Sequence, residues 1–275
     1  MRKFIISFII TLLISIFIFL LIILCLANSW KNRPEHFFKD RSMFEGPDDK
    51  KVNNLIVNAL NQLISLYIKP EYDTPFLPWE DLYPKVQLLQ DNWKAIQQEA
   101  KNVMNVAPSY HELDSMNTGL ATHDNHYWKT FVFKYYKGFN KKNCEKCPIT
   151  ANLLMQLPEI NLAMFSILEE GKILYPHHGP WRGIMRIHLG LMIPNSQPTI
   201  TVGSKTYSWK EGELVAFDDT YLHSVNNPKP GGPRIILFID IHRPDVPLFF
   251  HKISNLASTY FQEVNKNTEK KSIIK

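Results

Sequence analysis

From Leu162 onward the character of the chain changes. Short β-prone runs follow one another: Ala163–Leu168, Met185–Met192, Ile200–Val202, Lys205–Trp209, Leu214–Phe217 and Arg234–Ile241. Turn formers close them, at Gly171, Pro194-Asn195, Gly203, Gly212 and Pro228 to Pro233. Many short strands joined by tight turns predict an antiparallel sandwich or barrel. Upstream, apolar residues at helical spacing predict helices over Val52–Tyr67 (Leu55, Ala59, Leu60, Leu63, Leu66) and Tyr83–Met104 (Val86, Leu89, Trp93, Ile96, Ala100). Pro70, Pro75, Pro78 and Pro84 make a loop between them. Trp128 to Tyr136 alternates as a strand does, and Ile149 to Leu157 reads as a short helix. The expected fold is mainly β, with flanking N-terminal helices.

The N-terminal stretch imposes a second constraint. Phe4 to Ala27 is uncharged and consists largely of Phe, Ile and Leu. At about 1.5 Å per helical residue it matches a bilayer core of roughly 30 Å. A cleaved signal peptide has a shorter apolar core and a small-x-small cleavage site, and Cys25-Leu26-Ala27 is a poor one. The expected organisation is one transmembrane helix over 4–27, a juxtamembrane linker over 28–51, a soluble domain over 52–252 with its β core at about 128–244, and a C-terminal helix and basic tail over 253–275. Arg2 and Lys3 precede the span, whereas Lys31, Arg33, Lys39, Arg41, Lys50 and Lys51 follow it, so the positive-inside bias puts the domain on the cytoplasmic side. The last twelve residues, Val264 to Lys275, carry Lys266, Lys270, Lys271 and Lys275 against Glu269, which suits either a solvated end or attraction to anionic head groups.

Composition excludes several classes. A mean hydropathy of −0.19 does not fit a polytopic membrane protein. Three cysteines do not make a disulfide scaffold, and 21% charged with 12% aromatic residues does not make a disordered chain. The net charge of +5 is not interleaved with aromatics, so no nucleic acid is expected as a partner. Walker, Gly-x-Gly-x-x-Gly and Gly-x-Ser-x-Gly signatures are absent.

Histidine placement carries the chemistry. Four of the ten histidines fall between His177 and His223, inside the strand-rich half. On the Met185–Met192 run, Arg186, His188 and Gly190 share one face and Ile187, Leu189 and Leu191 the other. The polar face is either a half-exposed strand or a binding surface. Arg234 opens another apolar run, and two arginines on strands suit bidentate capture of a carboxylate. Ser166, in an equally apolar strand, adds a hydroxyl. His177, read in a turn before the Arg186 strand, and His223, after Phe217 to Leu222, are a plausible pair of imidazoles for Fe(II), although their spacing alone is weak. Cys144-Glu145-Lys146-Cys147 is half of a zinc signature with no second half, and reads as reduced thiols in a loop.

An ordered series of motifs resembles the aspartyl/asparaginyl β-hydroxylase family. It comprises Pro176-His177-x-Gly179-Pro180, Arg186-x-His188-Leu189-Gly190-Leu191, Trp209-x-x-Gly212, Phe217-Asp218-Asp219-Thr220-x-x-His223, Arg234, and Asp240 with Arg243-Pro244. Asp91-Asn92-Trp93, Trp128-Lys129-x-Phe131, Cys147-Pro148-x-Thr150, Ala163-Met164-Phe165, Pro194-Asn195-Ser196 and Tyr207-Ser208-Trp209 are similar to its bacterial lipid A hydroxylase branch, which also carries an N-terminal anchor. The resemblance implies a double-stranded β-helix, a jelly-roll or cupin-like core, housing an Fe(II) and 2-oxoglutarate dependent dioxygenase that consumes O2. It implies iron ligation by His177 and His223, capture of the distal 2-oxoglutarate carboxylate by Arg234 with Ser166, and a cosubstrate site lined by Arg186 and His188. The implied substrate is a membrane lipid acyl chain, such as that of lipid A, at a bacterial inner membrane.

One position departs from that branch. The carboxylate expected two residues after His177 is Gly179, as in the protein-hydroxylating members of the family. A hydroxylase of Asp or Asn side chains in a protein or peptide is therefore the alternative, and a non-catalytic binding module on the same fold the third reading. His178 is a neighbour that could substitute as a ligand. Asp218 and Asp219 are expected in the turn or behind the ligands.

Overall fold

The computed structural model describes residues 48–105, 107, 128–136 and 138–253, together with isolated positions 15, 18, 21, 22 and 25. The anchor read at 4–27 otherwise lies outside the described residues, as does most of the basic tail. Among the described residues no helix is long and apolar enough to cross a membrane.

The strands lie in two antiparallel sheets. The larger has the order β1 (Phe76–Leu77), β9 (Leu214–Phe217), β6 (Ile184–Met192), β11 (Arg234–His242), β4 (Ile160–Leu168), β2 (Trp128–Tyr135) and β3 (Gly138–Phe139). The smaller has the order β5 (Ile173–His177), β10 (His223–Asn226), β7 (Thr199–Val202) and β8 (Lys205–Ser208). From β4 to β11 the chain passes back and forth between them, in the jelly-roll-like winding expected for many short strands with tight turns.

The helices are α1 (Asp48–Ser65), α2 (Trp79–Leu82), α3 (Gln87–Asp91), α4 (Trp93–Val103), α5 (Lys141–Lys146), α6 (Pro148–Met155) and a last one, α7, from 248 to 253. Of these, α2 to α6 cover the outer face of the large sheet. There Ile96, Ala100 and Val103 of α4 and Ala151 and Leu154 of α6 join Phe131, Phe165, Ile187, Leu189, Leu237 and Ile239 in the main apolar core. Glu99, buried on α4, ties these helices together by accepting from the Ile149 and Thr150 amides at 2.9 and 2.8 Å and from the Thr150 hydroxyl at 2.7 Å, which satisfies the free donors at the start of α6.

A second core lies between the sheets. Met164, Leu168, Ile236 and Phe238 of the large sheet meet Leu174, Ile200, Val202 and Val225 of the small one. The strand period explains why β11 serves both cores: Ile235, Leu237, Ile239 and Ile241 face the helices, and Ile236 and Phe238 the sandwich. Arg234 and Asp240 fall on the sandwich face by the same alternation.

The structure corrects three sequence expectations. Tyr83–Met104 is not one helix. It runs as a 3-10 turn over Pro84–Val86, then α3 and α4, because Asn92 leaves helical geometry (φ −109°, ψ 14°) and turns its amide onto the Leu88 carbonyl at 2.8 Å. His177 is not in a turn but ends β5, a strand masked by Pro176. Proline is tolerated there because β5 is an edge strand. Cys144 and Cys147 are not in a loop: Cys144 lies within α5 and Cys147 caps α6. Both are buried free thiols, pushed up from the usual thiol range by desolvation, that of Cys147 to about 12.

Candidate functional site

The register of the strands assembles the site. His177 at the end of β5 is paired directly with His223 at the start of β10. The imidazole centroids are 4.1 Å apart. The His177 Nδ1 lies 2.6 Å from the Tyr175 carbonyl, and the His223 Nδ1 lies 2.9 Å from the Tyr221 carbonyl. A carbonyl can only accept, so each Nδ1 carries the proton and each Nε2 keeps a free lone pair. Burial holds both rings neutral, His177 near 4 and His223 well below the ordinary histidine value. Two neutral imidazoles fixed in one tautomer by backbone carbonyls are what a divalent transition metal requires of nitrogen donors.

Across the pocket stands Arg234, paired in register with Leu168, while Ser166 is paired with the inward Ile236. Arg234 is buried and stacked over Trp209 at 4.7 Å, and among the described residues its guanidinium has neither a hydrogen bond nor an ion pair. Desolvation alone pushes it down to about 9. A buried cation without a counter-charge is costly, which marks it as a receptor for an anion. Ser166 is also buried. Its oxygen accepts from the Trp128 indole at 2.9 Å, which leaves the hydroxyl proton to donate into the pocket.

His188 lies between these two ends. Neither ring nitrogen has a hydrogen-bond partner among the described residues, and Trp209, Phe217 and Phe238 surround it with centroids 5.9, 5.0 and 5.0 Å away. Burial keeps it neutral, well below the ordinary value. His177, His223, His188, Ser166, Arg234 and Arg186 all line one pocket.

Arg186 lines the pocket, but its fork is occupied. Strand register sets Asp240 opposite it, and Nε and Nη2 donate to the two Asp240 oxygens at 2.8 and 2.9 Å. Nη1 forms an ion pair with Asp219 at 3.0 Å. The free fork expected for a ligand carboxylate is thus held by two protein carboxylates. Arg186→Ala is expected to lower stability by about 3–5 kcal/mol in urea unfolding, because it strands two buried acids. Arg186→Lys will not restore it, since an ammonium cannot reproduce the fork.

Asp219 explains how Gly179 is accommodated. A Cβ at Gly179 would meet the Asp219 Oδ2 at 1.8 Å, so the Asp219 carboxyl fills the space where a side chain at 179 would begin. The Gly179 amide donates to the Asp219 carbonyl at 2.6 Å. Neither Asp219 carboxyl oxygen makes an aligned hydrogen bond, and burial pushes the group up to about 7. Gly179→Ala is expected to cost about 1–3 kcal/mol. In combination with Asp219→Ala the loss falls short of the sum, because the clash is gone; thermal unfolding of the two singles and the double measures this coupling.

Asp218 fixes the turn before His223. It accepts from the Thr220 amide and hydroxyl at 3.0 and 2.5 Å and binds Arg243 at 3.2 Å, with the Arg182 Nε at 3.5 Å. His178 is turned away onto the Thr220 carbonyl at 2.8 Å. Among the described residues no group of three His, Cys, Asp or Glu side chains closes on a metal position. Trp128 and Trp209 complete the site. Both stand in the sequence motifs, but an indole beside a serine or an arginine is visible only once the strands pair.

Comparison with known proteins follows the same residues. An ornithine lipid ester-linked acyl 2-hydroxylase of Rhizobium tropici is 32% identical over 180 residues, 64% of this chain and 61% of that protein. Rat aspartate beta-hydroxylase domain-containing protein 2 is 30% identical over 63% of this chain and 52% of its own. The human aspartyl/asparaginyl beta-hydroxylase is 30% identical over 58% of this chain but only 21% of its own. The chain therefore spans less than two thirds of each of these relatives. Among solved structures, a Pseudomonas putida prolyl-4-hydroxylase aligns with 56% of this chain and 87% of its own at 13% identity and a TM-score of 0.35, a likeness too distant to bear on function. The aspartyl/asparaginyl beta-hydroxylase profile matches residues 90–244, more than half of the chain and the whole of the pocket described above, and the chain belongs to that family.

Proposed function

We propose that the protein is an Fe(II) and 2-oxoglutarate dependent hydroxylase of a lipid acyl chain, lipid A or a related bacterial lipid. The observation that carries the reading is Arg234, a buried guanidinium without a counter-charge, in the same pocket as two imidazoles with free Nε2 atoms. His177 and His223 would hold the metal. Arg234 and the Ser166 hydroxyl would hold the distal carboxylate of the cosubstrate, and His188 offers two unused ring nitrogens beside it. Bound Fe(II), with 2-oxoglutarate and O2, would supply the oxidising power to put a hydroxyl on an unactivated carbon, releasing succinate and carbon dioxide. The chain's own work is positional. Tyr175 and Tyr221 carbonyls orient the imidazoles, Trp209 and Phe238 exclude water from the anion site, and the Asp219–Arg186–Asp240 group keeps the pocket wall rigid.

The lipid substrate is supported by the name of the Rhizobium relative and by apolar residues flanking the histidines: Tyr175 is 60% and Leu222 43% exposed. The uncharged stretch at 4–27 supports an anchor in the bacterial inner membrane with the domain on the cytoplasmic side. Gly179 favours the second reading, hydroxylation of Asp or Asn in a peptide. A decayed binding module is disfavoured, because no described residue supplies a counter-charge to Arg234. The test uses the detergent-solubilised full chain with Fe(II), 2-oxoglutarate and bacterial lipid extract. Lipid-stimulated succinate release supports the reading; release stimulated by peptide panels but not lipid contradicts it.

A further inference from the structure

A small apolar cluster stands apart from the two cores. Ile64, Ile68, Val246 and Phe250 are buried in it, with Trp181 and Tyr72 packed alongside. Its outer side is not covered by any described residue. Leu66 is 72% exposed, Tyr67 53%, Leu248 65% and Phe249 65%. The Tyr67 ring meets Phe250 edge-on at 5.8 Å, and Phe249 lies 5.6 Å from Phe250, so the end of α1 and the start of α7 share one apolar crest. Contiguous exposed apolar side chains on a soluble domain mark a surface that is covered in use.

The crest is joined to the candidate site. The Asn61 amide of α1 donates to the Pro180 carbonyl at 3.0 Å, and the Asn61 side-chain oxygen accepts from the Arg182 amide at 3.0 Å. Trp181, between them, packs into the cluster beneath the crest. This is the loop that leaves His177.

Two parts of the chain say what covers the crest. The uncharged stretch at 4–27 connects to α1 through residues 28–47, a segment able to reach about 65 Å when extended. That exceeds the length of α1, about 27 Å, so its far end, where Leu66 and Tyr67 lie, can face the same membrane. α7 leads directly into the segment with Lys266, Lys270, Lys271 and Lys275, and the exposed Lys69 and Lys252 flank the crest, with Glu71 the exposed acid nearby. Lysines around an apolar crest with a tyrosine suit the head-group level of an anionic bilayer.

We propose that the crest of Leu66, Tyr67, Leu248 and Phe249 inserts into an anionic phospholipid surface and holds the loop after His177 against the head groups. The inference deepens the acyl-lipid reading and rests on it for the use of that contact. The test is a nitroxide on Leu248→Cys in the full chain, with Cys25→Ser to leave only buried native thiols. The protein is reconstituted into vesicles of phosphatidylcholine and phosphatidylglycerol, and a second label at Met155→Cys, on α6, serves as reference. The expected result is a label at 248 more accessible to dissolved oxygen than to a water-soluble nickel chelate, with the reverse at 155. Leu248→Glu/Phe249→Glu is expected to lower hydroxylation of vesicle lipid at least tenfold and leave succinate release on detergent-dispersed lipid unchanged. A label at 248 as open to the nickel chelate as that at 155 overturns the proposal. So does one shielded from both reagents, which would mean a second copy, another protein or another segment of this chain covers the crest. The depth of the label does not depend on turnover, so an inserted crest without lipid hydroxylation upholds the contact and removes only the substrate reading.

Discussion

Replacing Arg234 with methionine is expected to weaken 2-oxoglutarate binding by about thirtyfold or more, because truncating one member of a buried charge pair costs about 2–5 kcal/mol. Methionine keeps length and apolar contact with Trp209 while removing the charge. The same substitution is expected to leave the unliganded protein as stable as before, or more so. Arg234 has no acidic partner among the described residues, and its desolvation is a pure cost until an anion arrives. The opposite signs separate this arginine from Arg186, whose loss is expected to destabilise the protein because two protein carboxylates depend on it. Calorimetric titration with 2-oxoglutarate and urea unfolding of the same preparation measure both quantities. Unchanged affinity together with a loss of several kcal/mol in stability would show Arg234 to be structural.

The second large effect is expected at His223. His223→Ala removes one of two free Nε2 donors, so turnover is expected to vanish and affinity for Fe(II), or Mn(II) as its redox-stable stand-in, to fall at least about a hundredfold. The structural cost is a separate quantity. The ring makes one hydrogen bond, to the Tyr221 carbonyl, worth about 1 kcal/mol, and its loss also leaves a cavity beside Phe217. Metal titration of the full chain distinguishes the two effects. Retained affinity in both His223→Ala and His177→Ala would remove the pair from the metal site.

Much of this site is legible from strand alternation. Arg186 and His188 alternate with Ile187 and Leu189, so they had to face the sandwich once the opposite face packed on helices. The position of Arg234 follows from the same rule. What alternation does not reveal is the partner across the ladder. Arg186 reads as a free fork until the β6–β11 register puts Asp240, 54 positions away, directly beside it. Gly179 reads as a missing carboxylate until the turn at 218–222 is seen to bring the Asp219 carboxyl into that space. β5 was hidden because Pro176 breaks the strand signal, and only its place at a sheet edge makes proline acceptable. The break at Asn92 is a local competition between side chain and backbone that apolar periodicity does not record.

The most direct test of the account is stoichiometric. The full chain with Fe(II), 2-oxoglutarate, O2 and acyl lipid is followed by mass spectrometry of both lipid and cosubstrate. The account predicts one succinate for each acyl chain that gains a single oxygen, and both products at least tenfold lower with Arg234→Met at the same subsaturating 2-oxoglutarate concentration. Acyl hydroxylation without succinate, or succinate formation undiminished by the loss of Arg234, would contradict it.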